Sequence, residues 1–181
     1  MKCNLISLLF CFVVLTTTSQ TTNKKYINTN GNFSVELPNN WSVLNDTRIE
    51  NRIAVCVPTL DKELKEFANC FEGTIFYIEK YKTDLATTLK SKGFVVSNDS
   101  VFIIDKKNKK IEVSKIQKNN YKGIYNQISC SFFCKDSDKA NQGKCDYLFF
   151  SLNAKTICIY TNGKPLPDFI RKNIIATFKF I

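Results

Sequence analysis

Apolar and polar residues alternate singly along most of this chain, and the alternation breaks at turn-forming residues. In "FSVEL", Phe33, Val35 and Leu37 are separated by Ser34 and Glu36, the period of a strand with one buried face. Pro38 ends that strand because proline cannot donate to the next rung of a ladder, and Asn39 and Asn40 suit a turn. Trp41, the single tryptophan, is then expected to fold back over the end of the core. "RIAVCVP", Arg52 to Pro58, and "GTIFYIEKY" predict two further strands, joined by the short charged segment "LDKELKEFANC". The period changes in "KTDLATTLKSKG", where Leu85 and Leu89 are four apart. Thr83 is the candidate cap, Asp84 falls in the first turn and Gly93 supplies a stop, which together predict a helix from Thr83 to Lys92.

Beyond that helix, "VFIIDKKNKKIEVSKI" predicts a hairpin tipped by Lys106 to Lys110. "YKGIYNQISCSFFC", "CDYLFFSLNA" and "KTICIYTN" predict three consecutive strands. A turn at Asn153 and Ala154 sets the second of these pairings, and a cross-strand bridge from Cys134 to Cys145 is expected to set the first. One face then carries Ile124, Ile128, Cys130, Phe132, Tyr147, Phe149 and Cys158, and the other Leu148, Phe150, Leu152, Ile157 and Ile159. A sheet apolar on both faces must be covered on both, which predicts helices above and below it. The chain closes with "LPDFIRKNIIATFKFI", a helix beginning at Pro167 and Asp168. Its apolar stripe is Phe169, Ile170, Ile174 and Ile175, and a short extended tail follows.

The N-terminus has a different character. Lys2 followed by the apolar run from Leu5 to Leu15 and by "TTTSQ" reads as a secretory signal over residues 1–19, and the run is too short to span a bilayer. Residues 20–31, "QTTNKKYINTNG", lack periodicity and are expected to be a flexible lead-in. Residues 32–181 then form a single domain with no internal repeat. Behind an export signal, the six cysteines left of the chain's eight read as disulfides, with Cys56 to Cys70 and Cys134 to Cys145 each closing one polar loop. Cys130 and Cys158 are expected as buried thiols, or as a pair only under a different strand order. With no histidine and no C-x-x-C pair, the sequence predicts no metal site and no cofactor.

Charge narrows the partners more than it narrows the chemistry. The chain holds 26 lysines and arginines against 16 acids, a formal net charge of +10, and only Arg48, Arg52 and Arg171 are arginines. Arginine is the residue that forks onto phosphate and carboxylate, so a lysine-dominated surface favours diffuse attraction to an anionic partner over a shaped anion site or specific nucleic-acid readout. The excess concentrates between Asp105 and Lys122, where Lys106, Lys107, Lys109 and Lys110 crowd the hairpin tip as possible anion contacts, with Tyr121 and Tyr125 beside them as stacking candidates. The same lysines also suit an ordinary solvated edge that resists aggregation. Without histidine there is no Ser-His-Asp or Cys-His arrangement. Asp61, Glu63 and Glu66 alternate with Lys62 and Lys65 as on a solvated helix face, so a carboxylate-dependent hydrolase is the weakest reading. Four sequons, at Asn32, Asn40, Asn45 and Asn98, matter only in a eukaryotic host.

The strand running into Pro38 and Trp41, the helix from Thr83 to Lys92 after the third strand, and the last helix running into "ATFKF" together resemble the PsbP-like family, named after an extrinsic subunit of photosystem II. The resemblance frames residues 32–181. It implies an α+β fold, an α/β/α sandwich around a central, mainly antiparallel sheet, and it implies accessory roles with no transferable active site. The combined expectation is a secreted or periplasmic, non-enzymatic binding or accessory protein of the cell envelope or surface. Its partner would be a protein or an anionic envelope component, and the mature chain would carry no transmembrane segment. The alternative is a secreted inhibitor or effector that engages an anionic partner through the lysine-rich hairpin.

Overall fold

The computed structural model describes residues 22–45, 50–56, 74–97, 100–104, 110–118, 121–132 and 141–181. Among these residues the chain forms thirteen strands and two helices. In chain order they are β1 (Asn23–Asn28), β2 (Phe33–Pro38), β3 (Ser42–Asn45), β4 (Arg52–Cys56), β5 (Thr74–Tyr81), α1 (Leu85–Ser91), β6 (Val95–Ser97), β7 (Ser100–Ile104), β8 (Lys110–Glu112), β9 (Ser114–Lys118), β10 (Tyr121–Phe132), β11 (Asn141–Leu152), β12 (Lys155–Tyr160), α2 (Asp168–Thr177) and β13 (Lys179–Phe180).

Seven strands make the central sheet in the order β3-β4-β5-β12-β11-β10-β9, and every pairing within it is antiparallel. Alternation sorts its side chains onto two faces. On the first, Ile53, Val55, Phe76, Ile78, Leu148, Phe150, Ile157 and Ile159 pack against Phe33, Val35 and Leu37 of β2, against Trp41, and against Ile170 and Ile174 of α2. On the second, Ile124, Phe149 and Cys158 pack against Leu89 of α1, Phe94, Val101 of β7 and Val113. Both faces are covered, as two apolar faces require. Each cover, however, is one helix together with a three-stranded sheet: β1-β2-β13 with α2 on the first face, β6-β7-β8 with α1 on the second. The architecture is therefore mostly β, and the expected α/β/α sandwich with helical layers does not form. A two-sided apolar pattern demands burial without saying whether helix or sheet supplies it.

The first cover begins with a strand where a flexible lead-in was expected. β1 pairs along its whole length with β2, Lys24 opposite Leu37, Tyr26 opposite Val35 and Asn28 opposite Phe33. Tyr26 is the one large apolar residue on its inward side, and its ring meets Phe33 edge-on at 6.2 Å. A single inward aromatic among lysines and asparagines gives no visible period, and edge strands carry lysine in any case. Trp41 lies beneath this cover, 3% exposed and 6.0 Å from the Phe76 ring, where its large ring contributes burial rather than a surface for stacking.

Local chemistry explains both helix ends of α1. Asp84, not Thr83, is the cap: its side chain accepts from the Thr87 N–H at 2.7 Å, satisfying one of the helix's orphan donors. At the other end Gly93 adopts φ 84°. Its N–H donates to the Lys90 carbonyl and that of Phe94 to the Leu89 carbonyl, the paired bonds of a Schellman ending. That ending delivers Phe94 into the second core beside Leu89.

The β11-β12 hairpin turns at Asn153 and Ala154, both at positive φ, with Leu152 opposite Lys155. The β10-β11 pairing differs from expectation. Ile128, not Cys134, lies opposite Cys145, a slip of six residues. Because six is even, every side chain keeps its face and only the partners change. Cys145 is bonded to Cys130, with Cα atoms 5.9 Å apart, so neither the expected Cys134 to Cys145 bridge nor a buried Cys130 thiol is found. Cys56 and Cys158 are free thiols, half-buried and buried respectively. The Cys56 to Cys70 bridge is therefore not formed at the Cys56 end, and Cys70 and Cys134 lie outside the described residues.

Candidate functional site

Among the described residues, three places bring chemistry-bearing side chains together. The first is on the second face of the central sheet, beyond the edge of the α1 cover. Tyr77 lies opposite Tyr160, Tyr160 opposite Tyr147, and Glu79 between Arg52 and Cys158, so the period of two places these residues side by side. The rings of Tyr77, Tyr160 and Tyr147 stack in series at 5.4 and 5.7 Å. Arg52 Nη1 donates to the Tyr160 hydroxyl at 3.2 Å, and its guanidinium lies 4.7 Å from the Tyr77 ring centroid. Lys92, the residue that ends α1, bonds Glu79 Oε2 at 3.0 Å while its ammonium sits 5.3 and 5.4 Å from the Tyr160 and Tyr81 rings. This pair ties the end of α1 to the sheet.

Cys158, Tyr81, Tyr147 and Tyr160 are all shifted toward the neutral form. Burial pushes the Cys158 thiol far above its usual range, with Lys92 opposing and Glu79 adding to the shift. The Tyr160 hydroxyl is raised first by burial, against the lowering effect of its Arg52 hydrogen bond. Tyr81 is raised by burial and then by the nearby Glu79 carboxylate, its hydroxyl buried with no partner in hydrogen-bond geometry. A thiol acts as nucleophile or metal ligand through its thiolate, so Cys158 is held inert. The cations face rings and a carboxylate of the same chain, and the cluster reads as a tie between helix and sheet.

The second place centres on Asp146, 0% exposed on the first face of β11. Its carboxylate accepts from the Leu166 N–H at 2.6 Å and from the Tyr125 hydroxyl and Gln127 Nε2, each at 3.1 Å. Its own N–H donates to Thr161 Oγ1 at 2.8 Å. Arg171 donates to the Tyr125 hydroxyl at 2.9 Å, covers that ring at 4.8 Å and pairs with Asp168 at 2.7 Å. This network fixes the connection from β12 to α2. Nothing in the sequence marked Asp146 except its place in the apolar strand "CDYLFFSL", which is the signal that could have found it: a carboxylate inside a buried strand must be matched by donors. A shallow groove of about 240 Å³ lies nearby between α2 and β2, lined by Leu37, Pro38, Phe169, Ile170, Asn173 and others. Phe169 stands at its rim 58% exposed rather than inside the apolar stripe of α2.

The third place is the small sheet β6-β7-β8. Val95 lies opposite Phe102, Phe102 opposite Glu112, and Ile104 opposite Lys110, while Val101 and Ile103 point into the second core. The outward face therefore shows Val95, Phe102, Ile104, Lys110 and Glu112. Val95 is 36% and Ile104 48% exposed, and Ile111 at the rim is 45% exposed. The Lys110 ammonium lies 5.2 Å from the centroid of the Phe102 ring.

Of the residues singled out from the sequence, Lys110 is found exposed on this face, whereas Lys106, Lys107 and Lys109 lie outside the described residues, as do Asp61, Glu63 and Glu66. Tyr121 and Tyr125 are not exposed stacking rings. Tyr121 donates to the Phe178 carbonyl at 2.7 Å and packs among Phe150, Phe178 and Phe180, and Tyr125 belongs to the Asp146 network. The sequence missed Val95, Phe102 and Ile104 as a surface because "VFII" is apolar at every position and does not say which residues turn outward.

No protein-family model matches the chain, and none of the curated proteins is significantly similar to it. A solved structure of a protein from Bacteroides thetaiotaomicron is similar at a TM-score of 0.50 and 15% identity, over 87% of this chain and 48% of that one. This chain thus spans about half the length of that protein. The Ran-binding protein Mog1p of Saccharomyces cerevisiae is similar at a TM-score of 0.46 and 12% identity, over 88% of this chain and 96% of that one. The first is a likeness of fold alone, and the second is too slight to carry more. Among the described residues no helix is long and apolar enough to cross a membrane.

Proposed function

We propose that the protein is an exported, non-enzymatic binding protein with an accessory role at the cell envelope or surface, and that it meets an anionic partner through the β6-β7-β8 sheet. The observation that carries this reading is the outward face of that sheet, where Val95 and Ile104 are exposed and Phe102 is half-buried beside the exposed Lys110, the last residue of the lysine-rich sequence segment 105–110. The other two clusters contrast with it. Their cations and carboxylates face one another and hold elements together, whereas the charge and apolar surface of the small sheet face outward. Export is supported by the signal-like first 19 residues and by the Cys130 to Cys145 disulfide, since disulfides persist in oxidising compartments. The resemblance of the Pro38 to Trp41 entry and the "ATFKF" tail to the PsbP-like family favours the same accessory role.

Retention on an anionic matrix tests the reading. Exposed charges are screened over roughly 8 to 10 Å at ordinary ionic strength, so retention on heparin should fall as salt rises. Changing Lys106, Lys107, Lys109 and Lys110 together to glutamine should move elution to lower salt without lowering the melting temperature much. Equal elution of the variant would return these lysines to the role of a solvated hairpin tip.

A further inference from the structure

The two long strands β10 and β11 outrun the sheet they belong to. β9 pairs with β10 only from Tyr121 to Tyr125, and β12 pairs with β11 only from Tyr147 to Leu152. Beyond the Ile128–Cys145 pair, Ser129 to Phe132 continue opposite Lys144 to Asn141, and among the described residues no third strand joins them. A two-stranded ribbon is marginally stable by itself. This one has little to add: Phe132 is the single large apolar residue of the eight, and Gly143 and Asn141 are of types depleted in strands. What ties it is the Cys130–Cys145 bridge at its base.

The two sulfurs of that bridge differ in access. Cys145 is 2% exposed, beside the segment that follows β12, whereas Cys130 is half-buried. An attacking thiolate selects the sulfur it can reach, and it is helped when the sulfur that leaves is a stabilised thiolate. Both conditions point the same way. The Gly163 N–H donates to Cys145 Sγ at 3.1 Å, and a hydrogen bond to the charged form favours that form, offsetting part of the cost of a buried thiolate. The segment that supplies this donor is also held without the bridge. Thr161 N–H donates to the Asp146 carbonyl at 3.0 Å, Lys144 N–H to the Gly163 carbonyl at 3.2 Å and Leu166 N–H to the Asp146 carboxylate at 2.6 Å.

We propose that Cys130 is a thiol-exchange site and that its bridge is a redox latch on the ribbon. The reaction partner is a thiolate, from a small-molecule thiol or from the dithiol of an oxidoreductase. Its sulfur attacks Cys130 Sγ and a new S–S bond forms there. The bond to Cys145 breaks, and the electron pair leaves on Cys145 Sγ, facing the Gly163 N–H. The ribbon is then released while segment 161–166 and α2 stay in place. This site is independent of the anionic-partner reading, so either can fail alone.

Incubating the native, oxidised protein in a buffer of reduced and oxidised glutathione, then quenching in acid and mapping chymotryptic peptides without reductant, reads the site. Cleavage at Phe132 and Phe133 separates Cys130 from Cys134. Glutathione is expected on Cys130 and not on Cys145. Amide hydrogen exchange on the opened protein should rise in 129–132 and 141–143 to the rate of an unstructured chain, with β5, β12 and α2 unchanged. Cys130→Ser, which leaves Cys145 in place, should show the same pattern with no thiol added. Reduced thioredoxin provides the second arm: opening by thioredoxin alone assigns the thiolate to a protein dithiol, and opening by glutathione as well assigns it to small thiols. Opening without preferential modification of Cys130, a bridge that resists both reagents until the protein unfolds, unchanged exchange in the ribbon, or lost protection across α2 and the central sheet would each overturn the proposal.

Discussion

Replacing Asp146 with alanine removes the acceptor on which the connection between β12 and α2 is built, and the structure sets the size of the effect. The carboxylate is fully buried and takes three hydrogen bonds, from Leu166 N–H at 2.6 Å and from Tyr125 and Gln127 at 3.1 Å. Tyr125 keeps Arg171 as a partner, and Gln127 is only half-buried and can turn toward water. The Leu166 N–H has no such escape. An unpaired buried donor costs about 1 to 3 kcal/mol, and a hydrogen bond to a charged group is worth about 1.5 to 3 kcal/mol. We therefore expect Asp146→Ala to destabilise by about 3 to 5 kcal/mol in urea unfolding under non-reducing conditions, at an unchanged m-value. At about 2 to 4 °C per kcal/mol for a chain of this size, the melting temperature should fall by roughly 6 to 20 °C. Asp146→Asn keeps an acceptor for Leu166 and loses the charge, so its loss should be about 1 to 2 kcal/mol. A midpoint for Asp146→Ala within about 0.5 kcal/mol of the parent, the range of a surface change, would show that the network does not hold α2 in place.

Other expectations follow from single observations. The Cys130 to Cys145 bridge closes a loop of sequence separation 15, so Cys130→Ala should cost about 3 kcal/mol; peptide mapping without reductant should show this link, and a Cys134 to Cys145 link would contradict the register. Cys158 should resist alkylation until the protein is unfolded, because its thiol is buried and held protonated, while Cys56, half-buried, should label in the native state; early labelling of Cys158 would contradict the second core. The Asp84 carboxyl is held below its ordinary 3.8 by the Thr87 N–H, so its cap contribution is present above pH 3.8 and lost as pH falls through the lower folded value. Asp84→Asn should therefore flatten acid unfolding in that window, and an unaltered acid profile would count against the cap. Secreted material should begin near Gln20 or Thr21 by intact mass, and retention of Cys3 and Cys11 would remove the export argument.

What the sequence could and could not tell follows from its periods. A period of two assigns faces and leaves partners open. Phe149 and Cys158 were therefore placed on the same face correctly, while Cys134 and Cys130, which share a parity, were equally compatible with Cys145. The turn at Asn153 and Ala154 was legible because two residues at positive φ leave one register available. The covers were not legible, since β1 has one inward aromatic and "VFII" is apolar throughout, so a helical sandwich was expected where sheets and single helices share the work. The site was half legible: lysines at a hairpin tip are visible in the chain, but Val95, Phe102 and Ile104 become a surface only when the register of β6, β7 and β8 turns them outward together.

The central claim is that this outward face is where the partner sits, and amide hydrogen exchange with and without heparin tests it most directly. Binding should slow exchange in segments 95–97, 100–104 and 110–112 and leave β4, β5 and β12 unchanged. Protection over Tyr77, Tyr147 and Tyr160, or along the groove between α2 and β2, with none on the small sheet, would contradict the account.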